Sequence, residues 1–190
     1  MRLILASESP RRAQLLRAAG FDIEVIPGKI DEQRQVDEPP DDYVLRLAEA
    51  KAQAVSSQSP DVTIIAADTI VLMDGHVLGK PSDDRDAAAM LRMLSGRIHE
   101  VLTGVVVRAG TRQHRHVERT RVRIAPLNAA EIAWYVATGE PRDKAGAYAV
   151  QGLASRFIEA IEGSYSNVVG LPVAAVYRLL RDLVGREPFD

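Results

Sequence analysis

The run from Arg2 to Ala6 is apolar throughout after its first residue and reads as a short buried strand. Ser9-Pro10 then opens a helix, with Ser9 a favourable N-cap and Pro10 suited to the first helical position. Gly20 closes it. Leu15, Leu16 and Ala19 form the apolar stripe of that helix, and Arg12 lies on the same stripe one turn earlier. Phe21–Ile26 predicts a second strand. Residues 27–40, with Pro27, Gly28, Pro39, Pro40 and several acids, read as a loop. Asp41 or Asp42 is expected to cap the next helix, which runs to about Ser57 and is broken by Ser59-Pro60. Its apolar positions are Val44, Leu47, Ala48 and Val55, and Lys51 falls in register with them.

Val62–Ala67 is a continuous apolar run that Asp68 is expected to end, the pattern of a strand covered on both faces. Asp74-Gly75 predicts a hairpin between Ile70–Met73 and His76–Leu78. Ser82 or Asp83 caps a helix through Leu94, stopped by Ser95-Gly96. Strands at about 97–108 and 112–124 are joined by Ala109-Gly110-Thr111. Asn128 starts a helix to about Thr138, and Gly139-Glu140-Pro141 ends it. The segment 144–154 reads as a loop or bent strand, Phe157–Ile161 as a strand, and Pro172 starts a final helix through Leu183. Strands alternating with helices, with an antiparallel stretch in the middle, predict a single α/β domain over residues 1–190 with a mixed sheet.

Composition narrows the chemistry. A chain of 190 residues can bury a substantial core, and 46% hydrophobic with 26% charged residues is an ordinary globular balance. A formal charge of −2 argues against a basic domain that coats nucleic acid. There is no cysteine, which excludes disulfides, zinc–thiolate sites and thiol nucleophiles. The apolar start is too short for a signal-peptide core, and no stretch approaches the roughly 18 apolar residues that span a bilayer. A cytoplasmic protein is the default expectation. Only four of the 24 basic residues are lysine: Lys29, Lys51, Lys80 and Lys144. Such scarcity fits lysine kept where a compact ammonium is needed, and equally a coding bias toward arginine.

Several residues invite a chemical reading. Arg11 and Arg12 stand in the first turn of a helix, where the macrodipole favours anions, and a bound phosphate would resolve that conflict. Lys51, inside an apolar stripe, must snorkel, pair with an acid or meet a ligand. Asp68, taken as ending a buried strand, is placed where open α/β sheets bind ligands. It can hold a metal, act as a base or cap a turn, with Thr69 adding an adjacent hydroxyl. Asp31 and Glu32 beside Asp68 would offer Mg²⁺ the oxygen ligands it prefers. Gly79-Lys80-Pro81 fails as a Walker A loop, since Pro81 replaces the serine or threonine. No serine lies in a nucleophile elbow. His114 and His116 read as a solvated sheet face in preference to a metal site, and the run Arg119, Arg121, Arg123 as solvated or packed at an interface. Unaided, these residues suggest phosphate binding by Arg12, Lys51 and Lys80 beside a carboxylate, and name no reaction.

The motifs do more together. LILASESPRR at 3–12, IDEQR at 30–34, RLAEAKA at 46–52, AADTIV at 66–71 and LGKP at 78–81 resemble the Maf family of nucleoside triphosphate pyrophosphatases. LSGRIHEVLTGV at 94–105, GEPRDKAGAYAVQG at 139–152 and GSYSNVVGLP at 163–172 extend the resemblance over nearly the whole chain. It implies a mixed central sheet with flanking helices and a substrate cleft, similar to inosine triphosphate pyrophosphatases and usually dimeric. It also implies hydrolysis of a nucleoside triphosphate to monophosphate and pyrophosphate with Mg²⁺ or Mn²⁺. Carried over by position, Asp68 is the base and, with Glu32, the metal-side carboxylate. Arg12, Thr69 and Gln151 contact the substrate and influence specificity, Arg11 adjoins Arg12, and Ser7, Lys51 and Lys80 are polar cleft residues. Ser9-Pro10-Arg11-Arg12, Ala67-Asp68-Thr69 and Gln151 are similar to the branch acting on dTTP and UTP, since a glutamine amide suits a pyrimidine edge. Leu153-Ala154 departs from relatives that carry a glycine there. The competing reading is a nucleotide- or nucleic-acid-binding regulator of cell division, against which an intact Asp68 beside three cations argues.

Overall fold

Leu3, Ile4, Leu5 and Ala6 are all buried, as a strand covered on both faces requires. The computed structural model of the chain describes residues 2–57 and 62–185. The elements are β1 (Leu3–Ala6), α1 (Pro10–Ala18), β2 (Ile23–Val25), α2 (Pro40–Ser56), β3 (Thr63–Met73) and β4 (His76–Leu78). They continue with α3 (Asp84–Leu94), β5 (Ile98–Ala109), β6 (Arg112–Ile124), α4 (Ala129–Ala137), β7 (Ile158–Glu162), α5 (Tyr165–Val169) and α6 (Val173–Val184). The sheet order is β2-β1-β3-β5-β6-β7, with β4 paired to β3 alone. β1 runs parallel to β2 and β3, whereas β3–β4 and β6–β7 are antiparallel. The mixed sheet with flanking helices is therefore the fold that the sequence predicts.

The chain divides into two compact units. The first holds the described residues of 1–69, 103–118 and 170–190, and the second those of 70–102 and 119–169. In the first unit, strand parity sorts the core into two layers. Leu3, Leu5, Ile65, Ala67, Val105 and Val107 pack with Leu16 of α1 and Val176 and Leu180 of α6. Ile4, Ala6, Ile64, Ala66 and Val106 pack with Ala48, Ala52 and Val55 of α2. The second unit has its own core, in which Met90 and Leu91 of α3 meet Ile132 and Tyr135 of α4, Val122 and Phe157.

Several expectations need correction. β3 does not end at Asp68 but continues to Met73, because Ile70, Val71 and Met73 resume the buried pattern beyond the single charge. The N-cap of α2 is Pro39, not Asp41 or Asp42; with Pro40 in the first turn, both acids lie inside that turn, where they complement the dipole. Ser9 is the N-cap of α1 by position, yet its side chain makes no capping bond. Segment 144–154 is a loop and not a strand, with short 3-10 helices at Ala145–Ala147 and from Leu153 and turn residues between them; a further 3-10 helix, Glu140–Asp143, precedes it. Gly146 and Ala147, with φ of 67° and 61°, bar an extended course there. The five residues of α5 are too few to show a helical period in the sequence. The Ser59-Pro60 break lies outside the described residues. Among those described, no helix is long and apolar enough to cross a membrane.

Candidate active site

The residue after β1 begins the site. Ser7 is buried, and its hydroxyl accepts the backbone N–H of Ser9, the residue before α1, at 3.1 Å. Arg12 follows on the buried side of α1 with four hydrogen bonds. Its Nε donates to Gly170 O (2.8 Å), its Nη1 to Ala67 O (2.8 Å) and Ser7 Oγ (3.2 Å), and its Nη2 to Thr69 Oγ1 (2.9 Å). Thr69 is further tied to Thr103 Oγ1 at 2.9 Å and donates to Gly170 O at 3.2 Å. Two carbonyl and two hydroxyl oxygens of the chain itself therefore hold the Arg12 guanidinium. Burial draws the Arg12 pKa below the usual arginine value, opposed by the charge of Asp68. Arg11, one residue earlier in the first turn, is half-buried.

Asp68 precedes Thr69 in β3, so its side chain leaves by the opposite face, toward α2. The Thr69 hydroxyl leaves by the face that Arg12 covers, and the charge of Asp68 still acts on that guanidinium. On α2 the buried positions Val44, Leu47, Ala48, Lys51, Ala52 and Val55 recur at helical spacing, with Lys51 the one charge among them. Of the outcomes open to that lysine, the structure selects pairing: Nζ lies 2.6 Å from Asp68 Oδ1 and 2.6 Å from Glu32 Oε1. The Lys51 and Asp68 side chains are 10% and 12% exposed, whereas that of Glu32 is 52% exposed. A buried ion pair thus carries an arm open to solvent.

The loop bearing Glu32 is held by contacts that periodicity does not reveal. Tyr43 donates to Glu32 O at 2.8 Å, and Arg46 donates to Gln33 O at 3.0 Å. Arg46 also forms a bidentate pair with Glu38 at 2.5 and 2.8 Å. These bonds hold the Glu38 carboxyl below the usual range. Gly28 closes the other end: a Cβ there would meet Lys51 O at 2.6 Å, so only glycine lets the loop lie against α2 at this point. Thr103 and Gly170 were also missed as site residues. Their signal was a buried threonine inside the apolar run Val101–Val107 and a glycine within the GSYSNVVGLP motif.

Lys80 and Gln151 belong to the second unit, and both are exposed. Lys80 follows β4. Gln151 is the third residue of a turn that the Gly152 N–H closes onto Ala149 O at 3.1 Å.

For a divalent cation the donor set is two carboxylates, both held by the Lys51 ammonium. Among the described residues no group of three or more histidines, cysteines or acids is placed to hold a metal ion. Two carboxylates completed by substrate phosphates is a common way of holding Mg²⁺, so Glu32 and Asp68 fit the ion by donor chemistry.

The Maf-like protein family model matches residues 2–183. The chain is 52% identical over 181 residues to a dTTP/UTP pyrophosphatase of Koribacter versatilis (strain Ellin345), covering 95% of this chain and 94% of that protein. It is 53% identical over 184 residues to a dTTP/UTP pyrophosphatase of Anaeromyxobacter dehalogenans (strain 2CP-C), covering 95% and 93%. Among solved structures, a HAM1 protein from Coxiella burnetii superposes with a TM-score of 0.55 at 15% identity, covering 96% of this chain and 99% of that one, which supports the fold alone. Motif order, sheet topology and near full-length identity agree, and the chain belongs to the Maf-like protein family.

Proposed function

We propose that the protein hydrolyses dTTP and UTP, and modified pyrimidine nucleoside triphosphates, to the monophosphate and pyrophosphate, with Asp68 as the base. The observation that carries this reading is the buried Asp68 carboxylate held at 2.6 Å by Lys51, with Glu32 on the same ammonium. Relatives more than 50% identical along nearly their whole length carry that activity in their names.

A water attacks the α-phosphorus. Asp68 takes its proton as the new P–O bond forms, and the bond to the β-phosphate oxygen breaks with its electron pair leaving on pyrophosphate. Lys51 uses one of the lone pairs of Asp68 Oδ1 and fixes the carboxylate's direction, leaving other lone pairs for the water. Lys80 and Arg11 offset phosphate charge. Arg12, with Ser7, holds Thr69 in place on the specificity side, and the Gln151 amide reads the pyrimidine edge by donating and accepting at once. A divalent cation, Mg²⁺ or Mn²⁺, would be held by Glu32 and Asp68 and supplies Lewis-acid stabilisation of phosphate charge. The same reading takes the enzyme as a cytoplasmic homodimer with no stable nucleic-acid partner.

The test is product analysis over a panel of nucleoside triphosphates. The expected products are monophosphate and pyrophosphate in equal amounts from dTTP and UTP, with weaker turnover of purines. Chelator should abolish turnover, and Mg²⁺ or Mn²⁺ should restore it. Release of orthophosphate, or turnover untouched by chelator, would contradict the scheme.

A further inference from the structure

The carboxylate of Glu140 lies beneath the turn that carries Gln151. Tyr135, fully buried on α4, donates its hydroxyl to Glu140 Oε1 at 2.7 Å and accepts the Ala149 N–H at 3.2 Å. On the far side of the turn, Glu140 Oε2 accepts the Leu153 N–H at 2.9 Å and Oε1 accepts the Ala154 N–H at 3.4 Å. The backbone entering the turn and the backbone leaving it are therefore tied to one carboxylate–phenol pair. At Gly152 the contact is closer still: a Cβ would meet Glu140 Oε2 at 2.3 Å, so a side chain there would have to displace the carboxylate. Val150 and Ala154 on either side are buried, while Gln151 itself points to solvent as an exposed residue. A carboxylate that served only to cap the 3-10 helix Leu153–Phe157 would use the Leu153 and Ala154 N–H groups and would not be linked to Ala149. Burial, aided by Glu140, pushes the Tyr135 hydroxyl well above its usual pKa, so it remains a donor.

We propose that Glu140, acting through Tyr135 and the 149–154 backbone, is a positioning residue that fixes the Gln151 turn and so sets discrimination between bases. This rests on the reading of Gln151 as the residue that meets the base. Leu153 and Ala154 supply the two backbone N–H groups that this carboxylate accepts.

The experiment compares kcat/KM for dTTP and for GTP in the full-length enzyme and in Gln151→Ala, Glu140→Gln, Tyr135→Phe and the double variant Glu140→Gln/Gln151→Ala. Glu140→Gln and Tyr135→Phe should each lower the dTTP-to-GTP ratio about 10-fold, through a raised KM for dTTP. Glu140→Gln should add nothing in the Gln151→Ala background, as for residues that act through one another. Should Glu140→Gln fail to fold, Tyr135→Phe, which removes one oxygen, decides alone. A fall in kcat shared equally by both nucleotides, or additive effects in the double variant, would overturn the proposal. A ratio lost in Gln151→Ala but kept in Glu140→Gln and Tyr135→Phe sinks this proposal only. A ratio kept in Gln151→Ala sinks the base-recognition reading and this one with it.

Discussion

Lys51 occupies a position on α2 that the helix's own spacing reserves for an apolar side chain, and its ammonium is tolerable there because Asp68 and Glu32 meet it at 2.6 Å. Removing one member of a buried pair strands the other charge, which costs about 3 kcal/mol or more. Lys51→Met is therefore expected to lower unfolding free energy on that scale and to abolish turnover. The double variant Lys51→Met/Asp68→Leu should recover most of the stability and none of the activity, as urea denaturation beside an activity assay would show. Equal stability in the single and double variants would mean that the pair is not coupled. The sequence made Lys51 and Asp68 conspicuous, one by breaking an apolar stripe and the other an apolar strand. It put Lys51 near Asp68 only through the motifs, and it did not show that Asp68 and Thr69 leave β3 on opposite faces, because that depends on which helix covers which face of β3.

At the scale of elements, the site depends on how the 27–40 loop returns to α2. Tyr43 and Arg46, one helical turn apart in contact reach, hold the loop backbone at Glu32 and Gln33, and Gly28 allows its close approach at Lys51. Gly28→Ala adds a methyl where the Lys51 carbonyl lies 2.6 Å away, so the loop must shift. It is expected to cut dTTP turnover on the order of 10-fold with little loss of helical circular dichroism, because Glu32 moves while the α2 core stays packed. Unchanged turnover would show that the loop's position does not matter. Strong caps and strict periods made α3, α4 and the strand β1 legible: Asp83 and Asn128 cap as their residue types suggest. β3 and the 144–154 segment were less so. A single charge reads as a strand end when the cation that balances it lies 17 residues away on α2. A positive φ at Ala147 leaves no trace in composition.

At the scale of the whole molecule, His99 couples stability to pH. It is 2% exposed, its Nε2 bonds Tyr148 Oη at 2.8 Å, and burial pushes its pKa down to about 4 from 6.5. The unfolded chain therefore binds the extra proton first, and stability falls as pH drops from about 6.5 toward about 4, by about 3 kcal/mol in total. Glu38, whose carboxyl is held low by Arg46, adds its own loss only below its ordinary value of 4.5. Denaturant unfolding at about pH 7.5 and about pH 5 should show the decline in the wild type and a flatter profile in His99→Gln; parallel profiles would remove His99 from the account. The central claim concerns the reaction itself, and pyrophosphate release from dTTP with Mg²⁺ or Mn²⁺ tests it most directly, wild type against Asp68→Asn. The amide keeps the shape of the side chain but cannot take a proton from water. A loss on the order of 10²-fold or more is the predicted result, the scale of a general base. A variant as active as the wild type would contradict the mechanism.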